Sequence, residues 1–280
     1  HAAAGTDGVV VCGTTGESAT LSHEEHMEVI DHAVQFFRGK LGASAPRLIA
    51  GTGSNSTYEA VSLTEYAAGK KVDAVLVISP YYNKPTPKGQ VIHFKRVAEA
   101  AGRTPVILYS VPSRTGIKVG LETVLELSEV ENIKAIKEAS GDLGLISEII
   151  RRTPEDFAVI SGEDNLTFPM MALGAAGVIS VTANIVPELS RDMIHLCLDG
   201  KFVAARALHH KQFPLTAALF CETSPIPVKT AVNLMAGSVG PGGIPWPKAG
   251  GFRLPLCEMT DASEMRLRDE LKRMGLLPQG

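Results

Sequence analysis

The 280-residue chain is 45% hydrophobic, which suits one large α/β domain with a smaller helical appendage and excludes intrinsic disorder. Its 27 Lys and Arg stand against 30 Asp and Glu, a formal net charge of −3 with no block of either sign, so nucleic acid is not an expected partner. The four cysteines, Cys12, Cys197, Cys221 and Cys257, form no C-x-x-C, and no apolar run approaches the roughly 18 residues of a membrane span, so the expectation is a cytoplasmic protein with reduced thiols and no membrane contact.

In chain order, short β-branched runs alternate with amphipathic stretches of helical period. Strands are expected at 9–11, 47–50, 74–78, 106–109, 133–137, 157–160 and 178–181. Helices are expected between them at 22–38, 56–71, 88–101, 121–129 and 143–152. Strands apolar throughout belong to a parallel sheet covered on both faces. Seven such βα units predict a (β/α)8 TIM barrel lacking its first strand and helix in this chain. The chain opens at His1 and reaches a strand pattern by Gly8, so an upstream segment, with any targeting peptide it held, is expected. Beyond about residue 187 only helical patterns remain, at 187–198, 202–220, 228–235 and 262–274. The expected division is therefore a barrel over 1–198 and a helical region over 199–280. Residues 241–251 are too rich in Gly and Pro for either element and read as a loop.

The reacting groups of a β/α barrel come from the C-terminal ends of its strands. The first strand runs into Gly13-Thr14-Thr15-Gly16-Glu17-Ser18, where backbone N–H groups and two hydroxyls can converge on a carboxylate. The same residues also read as a plain turn before the capping box that starts at Ser22. In the 133–137 strand, period-two alternation puts Lys137 on the face of Ile133 and Ala135, pointing into the barrel mouth. A desolvated amine there has a lowered pKa and attacks a ketone to form an imine; the alternative is a solvated strand-end lysine. Tyr109 ends another strand as a proton relay or a packing group, and Arg114 follows it as a carboxylate clamp. Tyr81 and Tyr82 in a Pro-rich loop suit an interface or a pocket. His23 and His26 lie one helical turn apart, but no third ligand sits at metal spacing, and no metal is expected. Gly51-Thr52-Gly53-Ser54-Asn55 imitates a phosphate cradle without its full spacing, with Asn55 as a helix cap the alternative.

Gly13-Thr14-Thr15-Gly16-Glu17-Ser18-Ala19-Thr20-Leu21, Tyr81-Tyr82-Asn83, Tyr109 with Pro112-Ser113-Arg114-Thr115-Gly116, Ile136-Lys137-Glu138 and Ser161-Gly162, in this order, resemble the dihydrodipicolinate synthase family, within the pyruvate-dependent superfamily that includes N-acetylneuraminate lyase. The resemblance runs from about Gly5 to the C-terminus and takes in Val178-Ile179-Ser180-Val181-Thr182-Ala183-Asn184 and Pro225-Ile226-Pro227-Val228-Lys229. It implies a lyase of the Schiff-base aldolase type that condenses pyruvate with L-aspartate 4-semialdehyde to 4-hydroxy-tetrahydrodipicolinate, in diaminopimelate and lysine biosynthesis, without a cofactor. It implies that Lys137 forms the imine, that Thr14 and Thr15 hold the pyruvate carboxylate, and that Tyr109, Thr14 and Tyr82 relay protons, Tyr82 from a neighbouring subunit. Arg114 would bind the semialdehyde carboxylate, and Gly162 and Ile179 would line the pocket. A lysine feedback site is implied at Ser18, Ala19, His23, His26, Asn55, Glu59 and Tyr81, in a homotetramer built as a dimer of dimers. The 241–251 loop looks longer than its family counterpart. The rival readings are a sugar-acid lyase using the same Lys137, against which Arg114 argues, a non-catalytic amino-acid-binding relative, and a metal-dependent aldolase.

Overall fold

A computed structural model describes residues 1–279. The chain groups into two compact units. One comprises residues 8–13 and 21–179, and the other residues 1–7 and 14–20 with the chain from Ser180 onward.

The first unit is built on an all-parallel sheet of seven strands in chain order: β1 (Gly8–Val11), β2 (Arg47–Gly51), β3 (Ala74–Ile78), β4 (Val106–Ser110), β5 (Ile133–Glu138), β6 (Ala158–Ser161) and β7 (Gly177–Val178). Alternate residues of these strands form one cluster. Ala74, Leu76, Ile107, Tyr109, Val111, Ala135 and Ala139 are its buried members, with Val10, Ile49, Ile78, Ala158, Ile160 and Ile179 packed against them. Strands β1 to β6 all contribute, with Ile179 just beyond β7, so the sheet is curled around this face. The intervening residues Val75, Val77, Leu108 and Ile136 are fully buried too, as expected of a parallel sheet covered on both sides. Tyr109 lies opposite Lys137, and Lys137 opposite Ile160, so the chemistry-bearing ends of β4, β5 and β6 are in register. Among the described residues β1 and β7 are the edges of the sheet.

The crossovers are α1 (His23–Gln35), α2 (Thr57–Gly69), α3 (Pro87–Ala101), α4 (Pro112–Thr115), α5 (Leu121–Ser128), α6 (Leu143–Arg152) and α7 (Thr167–Ala172). Hydroxyl and carboxylate caps start four of them. Ser22 and Glu25 make a reciprocal capping box on α1, and Ser56, Thr86 and Asp142 accept N–H bonds at the starts of α2, α3 and α6. The stretch expected as one helix over 22–38 instead widens into π-helical turns at Phe36–Leu41 before Gly42 ends it at φ 57°. β7 is shorter than the expected 178–181. Ile179 N still donates to Ser161 O at 2.9 Å, but Ser180 Oγ then accepts Ala183 N at 2.8 Å and starts a 3-10 turn at Thr182–Asn184.

In the second unit, α8 (Pro187–Leu198), α9 (Phe202–Leu219), α10 (Ile226–Met235) and α11 (Asp261–Arg273) surround a core that includes Ile185, Leu215, Leu219, Ala231, Met235, Leu267 and Leu271. The sequence pattern set the break at 198, whereas α8 groups with the later helices. Ser190 Oγ on α8 donates to Gln212 Oε1 on α9 at 3.1 Å inside this packing. Residues 241–251 hold one 3-10 turn, Pro241–Gly243, and a single bridge from Val239 to Pro245.

Candidate active site

Lys137 stands on the inward row of β5 between Ala135 and Ala139, but Ile133, expected on the same face, pairs with Val106 ahead of a register shift and lies outside the inward cluster. It is 9% exposed, and its Nζ lies 4.2 Å from the centre of the Tyr109 ring. Burial brings its ammonium down to about 8. Asp164 and Glu163 pull the other way, and Arg114 adds a further downward push. The ring face favours the ammonium, but desolvation is the larger effect, so a substantial fraction of the amine is neutral near physiological pH. Gly162 makes room for this side chain, since a Cβ there would stand 3.0 Å from Lys137 Cε and 2.8 Å from Ala139 Cβ. Ile179, whose N–H extends the β6 pairing, packs on the same inward cluster. Lys137, Tyr109, Gly162 and Ile179 are therefore one constellation, with the exposed Arg114 near enough to act on it electrostatically.

Two carboxylates in this constellation escaped the reading of the sequence. Glu163 and Asp164 follow Gly162 at the end of β6 and face Lys137 electrostatically. Burial, then Asp164, push the Glu163 carboxyl above its usual range, while Lys137 and Arg114 pull it back. The signal for them was position alone, two acids directly beyond a strand end. Glu138, the neighbour of Lys137, is fully buried, and burial raises its pKa; its Oε1 accepts Ser140 N at 2.7 Å.

Thr14 and Thr15 belong to the other unit, where Thr14 O accepts Glu17 N at 3.1 Å and closes a tight turn. Both threonines are half-buried. Tyr82 is 89% exposed on left-handed backbone, φ 68°. Its phenol therefore faces solvent in the single chain. The neighbouring Asn83 Nδ2 donates to Asn55 O at 2.8 Å, tying the tyrosine loop to the start of α2.

Of the residues assigned to lysine binding, His23 Nε2 lies 3.9 Å from Glu59 Oε1, and Ser54 Oγ donates to Glu59 Oε2 at 2.7 Å. Tyr81 is partly exposed beside Tyr82. His26 is buried, with its Nε2 donating to Gly51 O at 2.7 Å, and burial lowers its pKa. Ser18 and Ala19 lie in the other unit. The Gly51 to Asn55 segment has a packing reason for its first glycine and a different helix cap from the one expected. A Cβ at Gly51 would stand 2.2 Å from Cys12 O, so close strand packing demands that glycine, and Ser56 rather than Asn55 caps α2. Among the described residues no helix is long and apolar enough to cross a membrane.

The model of the Dihydrodipicolinate synthetase family matches residues 1–274. A 4-hydroxy-tetrahydrodipicolinate synthase of Methanosarcina barkeri is 50% identical over 274 residues, 98% of this chain and 88% of its own length. Among solved structures, the dihydrodipicolinate synthase of Cyanidioschyzon merolae with lysine bound is 40% identical with a TM-score of 0.91, covering 99% of this chain and 89% of that one. That of Acinetobacter baumannii, complexed with pyruvate, is 40% identical with a TM-score of 0.87, covering 98% and 89%. A match over nearly the whole sequence, joined to a buried strand-end lysine beside a tyrosine, leads to one conclusion: the chain belongs to the dihydrodipicolinate synthetase family.

Proposed function

We propose that this chain condenses pyruvate with L-aspartate 4-semialdehyde through a Schiff base on Lys137, giving 4-hydroxy-tetrahydrodipicolinate for diaminopimelate and lysine biosynthesis. The observation that carries this reading is the desolvated Lys137 amine, lowered to about 8, in contact with the Tyr109 ring. Neutral Lys137 attacks the pyruvate ketone and water leaves, forming the imine. Loss of a methyl proton gives the enamine, whose carbon attacks the aldehyde. The semialdehyde amine then adds to the former ketone carbon and expels Lys137, which regains its free amine. Tyr109, Thr14 and Tyr82 carry the protons, Thr14 and Thr15 hold the pyruvate carboxylate, and Arg114 holds that of the semialdehyde. Gly162 and Ile179 shape the pocket.

Three finer assignments belong to the same proposal. The assembly is a homotetramer in the cytoplasm, with Tyr82 serving a neighbouring subunit; its exposure in the single chain supports this. Lysine is a feedback inhibitor bound by Ser18, Ala19, His23, His26, Asn55, Glu59 and Tyr81, where the Glu59 carboxylate suits an ammonium group; calorimetric titration of folded protein with lysine checks it, and no heat of binding would remove it. The sheet closes into an eight-stranded barrel with one further βα unit, a reading supported by seven strands in unbroken order with two edges.

The test is borohydride reduction with pyruvate on the wild type and on Lys137→Ala, read by peptide mass spectrometry. A reduced pyruvate adduct confined to Lys137 is expected, with turnover of aspartate semialdehyde and not of sialic acid. No adduct on folded wild-type protein would sink the Schiff-base reading.

A further inference from the structure

Glu17 is the closing residue of the turn that carries Thr14 and Thr15. Its N–H closes the turn on Thr14 O, and its carbonyl accepts both the N–H and the hydroxyl of Thr20 at 3.0 Å. It does so on left-handed backbone, φ 54°, a conformation that glycine adopts without penalty and glutamate does not. A demand for turn geometry alone would favour glycine, so the side chain must justify the strain.

That side chain is held in an inaccessible ion pair. Lys229 Nζ donates to Glu17 Oε2 at 2.5 Å, and the two side chains are 14% and 16% exposed. The lysine also donates to Gly251 O at 2.6 Å and lies 5.2 Å from the centre of the Phe252 ring. One turn further along α10, Asn233 fixes the same loop through Gly250 O and Ala249 N, both at 2.8 Å. Arg253 Nη1 adds a bond to Thr20 O at 3.1 Å. Helix α10, the loop at 249–253 and the threonine turn are thus one bonded network with Lys229 at its centre. The other Glu17 oxygen, Oε1, is buried without a hydrogen-bond partner, so the pair is poorly optimised for stability alone.

From this geometry we infer that Glu17 and Lys229 are positioning residues: their ion pair holds the Thr14–Thr15 turn in the conformation that receives the carboxylate of the first substrate. The inference rests on the carboxylate role proposed above for these threonines. Removing Lys229 leaves a buried carboxylate without its cation, and the turn relaxes toward solvent to hydrate it. The Lys137 amine is untouched, so the loss falls on substrate binding rather than on imine chemistry.

The experiment compares Glu17→Gln, Lys229→Met, Lys229→Arg and the Glu17→Gln/Lys229→Met double variant. Each is checked for folding by circular dichroism, and the pyruvate concentration giving half-maximal borohydride adduct at Lys137 is measured. Lys229→Met is expected to raise that concentration about tenfold, Glu17→Gln less, and the double variant no more than Lys229→Met, because residues of one network do not act additively. The saturating trapping rate should fall less than twofold or so, and Lys229→Arg should lie within about twofold of wild type. An unchanged half-saturating concentration in a folded variant, even with a lowered Tm, would reduce the pair to a structural tie and overturn the inference. If Lys229→Met does not fold, the near-isosteric Glu17→Gln decides by the same reading. Absence of an adduct on the wild type would instead overturn the Schiff-base proposal, and this inference with it.

Discussion

At the scale of single residues, the legible part of the site was the part that lay inside regular strands. Period-two alternation aimed Lys137 inward with Ala135, although the register shift that follows Ile133 takes that residue out of the inward row, and the structure adds Tyr109 to the same face. Glu163 and Asp164 were not legible, because alternation stops where a strand stops and the direction of the next two side chains depends on the turn that follows. They matter for pH, since they oppose the desolvation of Lys137 without cancelling it. The nucleophile is the neutral amine, so imine formation should follow the deprotonated fraction of Lys137. Below a pKa of about 8 that fraction falls about tenfold per pH unit, and above it the fraction levels off. Single-turnover trapping with saturating pyruvate from pH 6 to pH 10 should therefore trace a rising limb and a plateau meeting near pH 8. A limb that continues to rise toward pH 10 would mean that Lys137 is not desolvated in solution.

At the scale of elements, helical periodicity located α1, α2, α3, α5 and α6, with the Ser22 capping box marking the start of α1, while the features that differed are set by tertiary context. The π-helical turns at Phe36–Leu41 and the early end of β7 are both settled by local hydrogen bonds that apolar patterning does not encode. Nor does patterning reveal that α3 carries a buried histidine. His93 Nδ1 is hydrogen-bonded to Thr57 Oγ1 on α2 at 2.9 Å, while its Nε2 is buried without a partner. Burial holds its pKa down to about 4, so the folded state keeps it neutral while the unfolded chain protonates it near 6.5. Between those values the unfolded state binds more protons, and stability falls as pH falls from 6.5 toward 4. The loss attributable to His93 between pH 7 and pH 5 is on the order of 2 kcal/mol. Urea unfolding of wild type and His93→Gln at both pH values should show the wild type losing about that much more than the variant. Equal losses would place the acid sensitivity elsewhere, with His26 the next residue to examine.

At the scale of the whole molecule, the run of βα units was readable because each strand of a doubly covered parallel sheet is apolar throughout, and the observed sheet has seven parallel strands in chain order. The grouping of Thr14–Thr20 with the helices beyond Ser180 was not readable, since it depends on pairings more than 200 residues apart, such as Glu17 with Lys229. Assembly lies further from the sequence still, and Tyr82 makes it testable. A phenol that is 89% exposed in one chain is open to a partner, and in the proposed assembly a two-fold interface would deliver it to a neighbour's Lys137. If so, Lys137→Ala and Tyr82→Phe chains are each weakly active or inactive alone, yet in a mixed dimer one site combines an intact Lys137 with an intact Tyr82. Random reassociation of equal amounts makes half the dimers mixed, with one working site in two, so about a quarter of wild-type activity should return. The measurement is turnover after co-refolding or prolonged subunit exchange, with sedimentation velocity to confirm that the chains associate. Activity no greater than the sum of the separate variants, in a sample that does associate, would confine Tyr82 to its own chain and remove it from the proton relay.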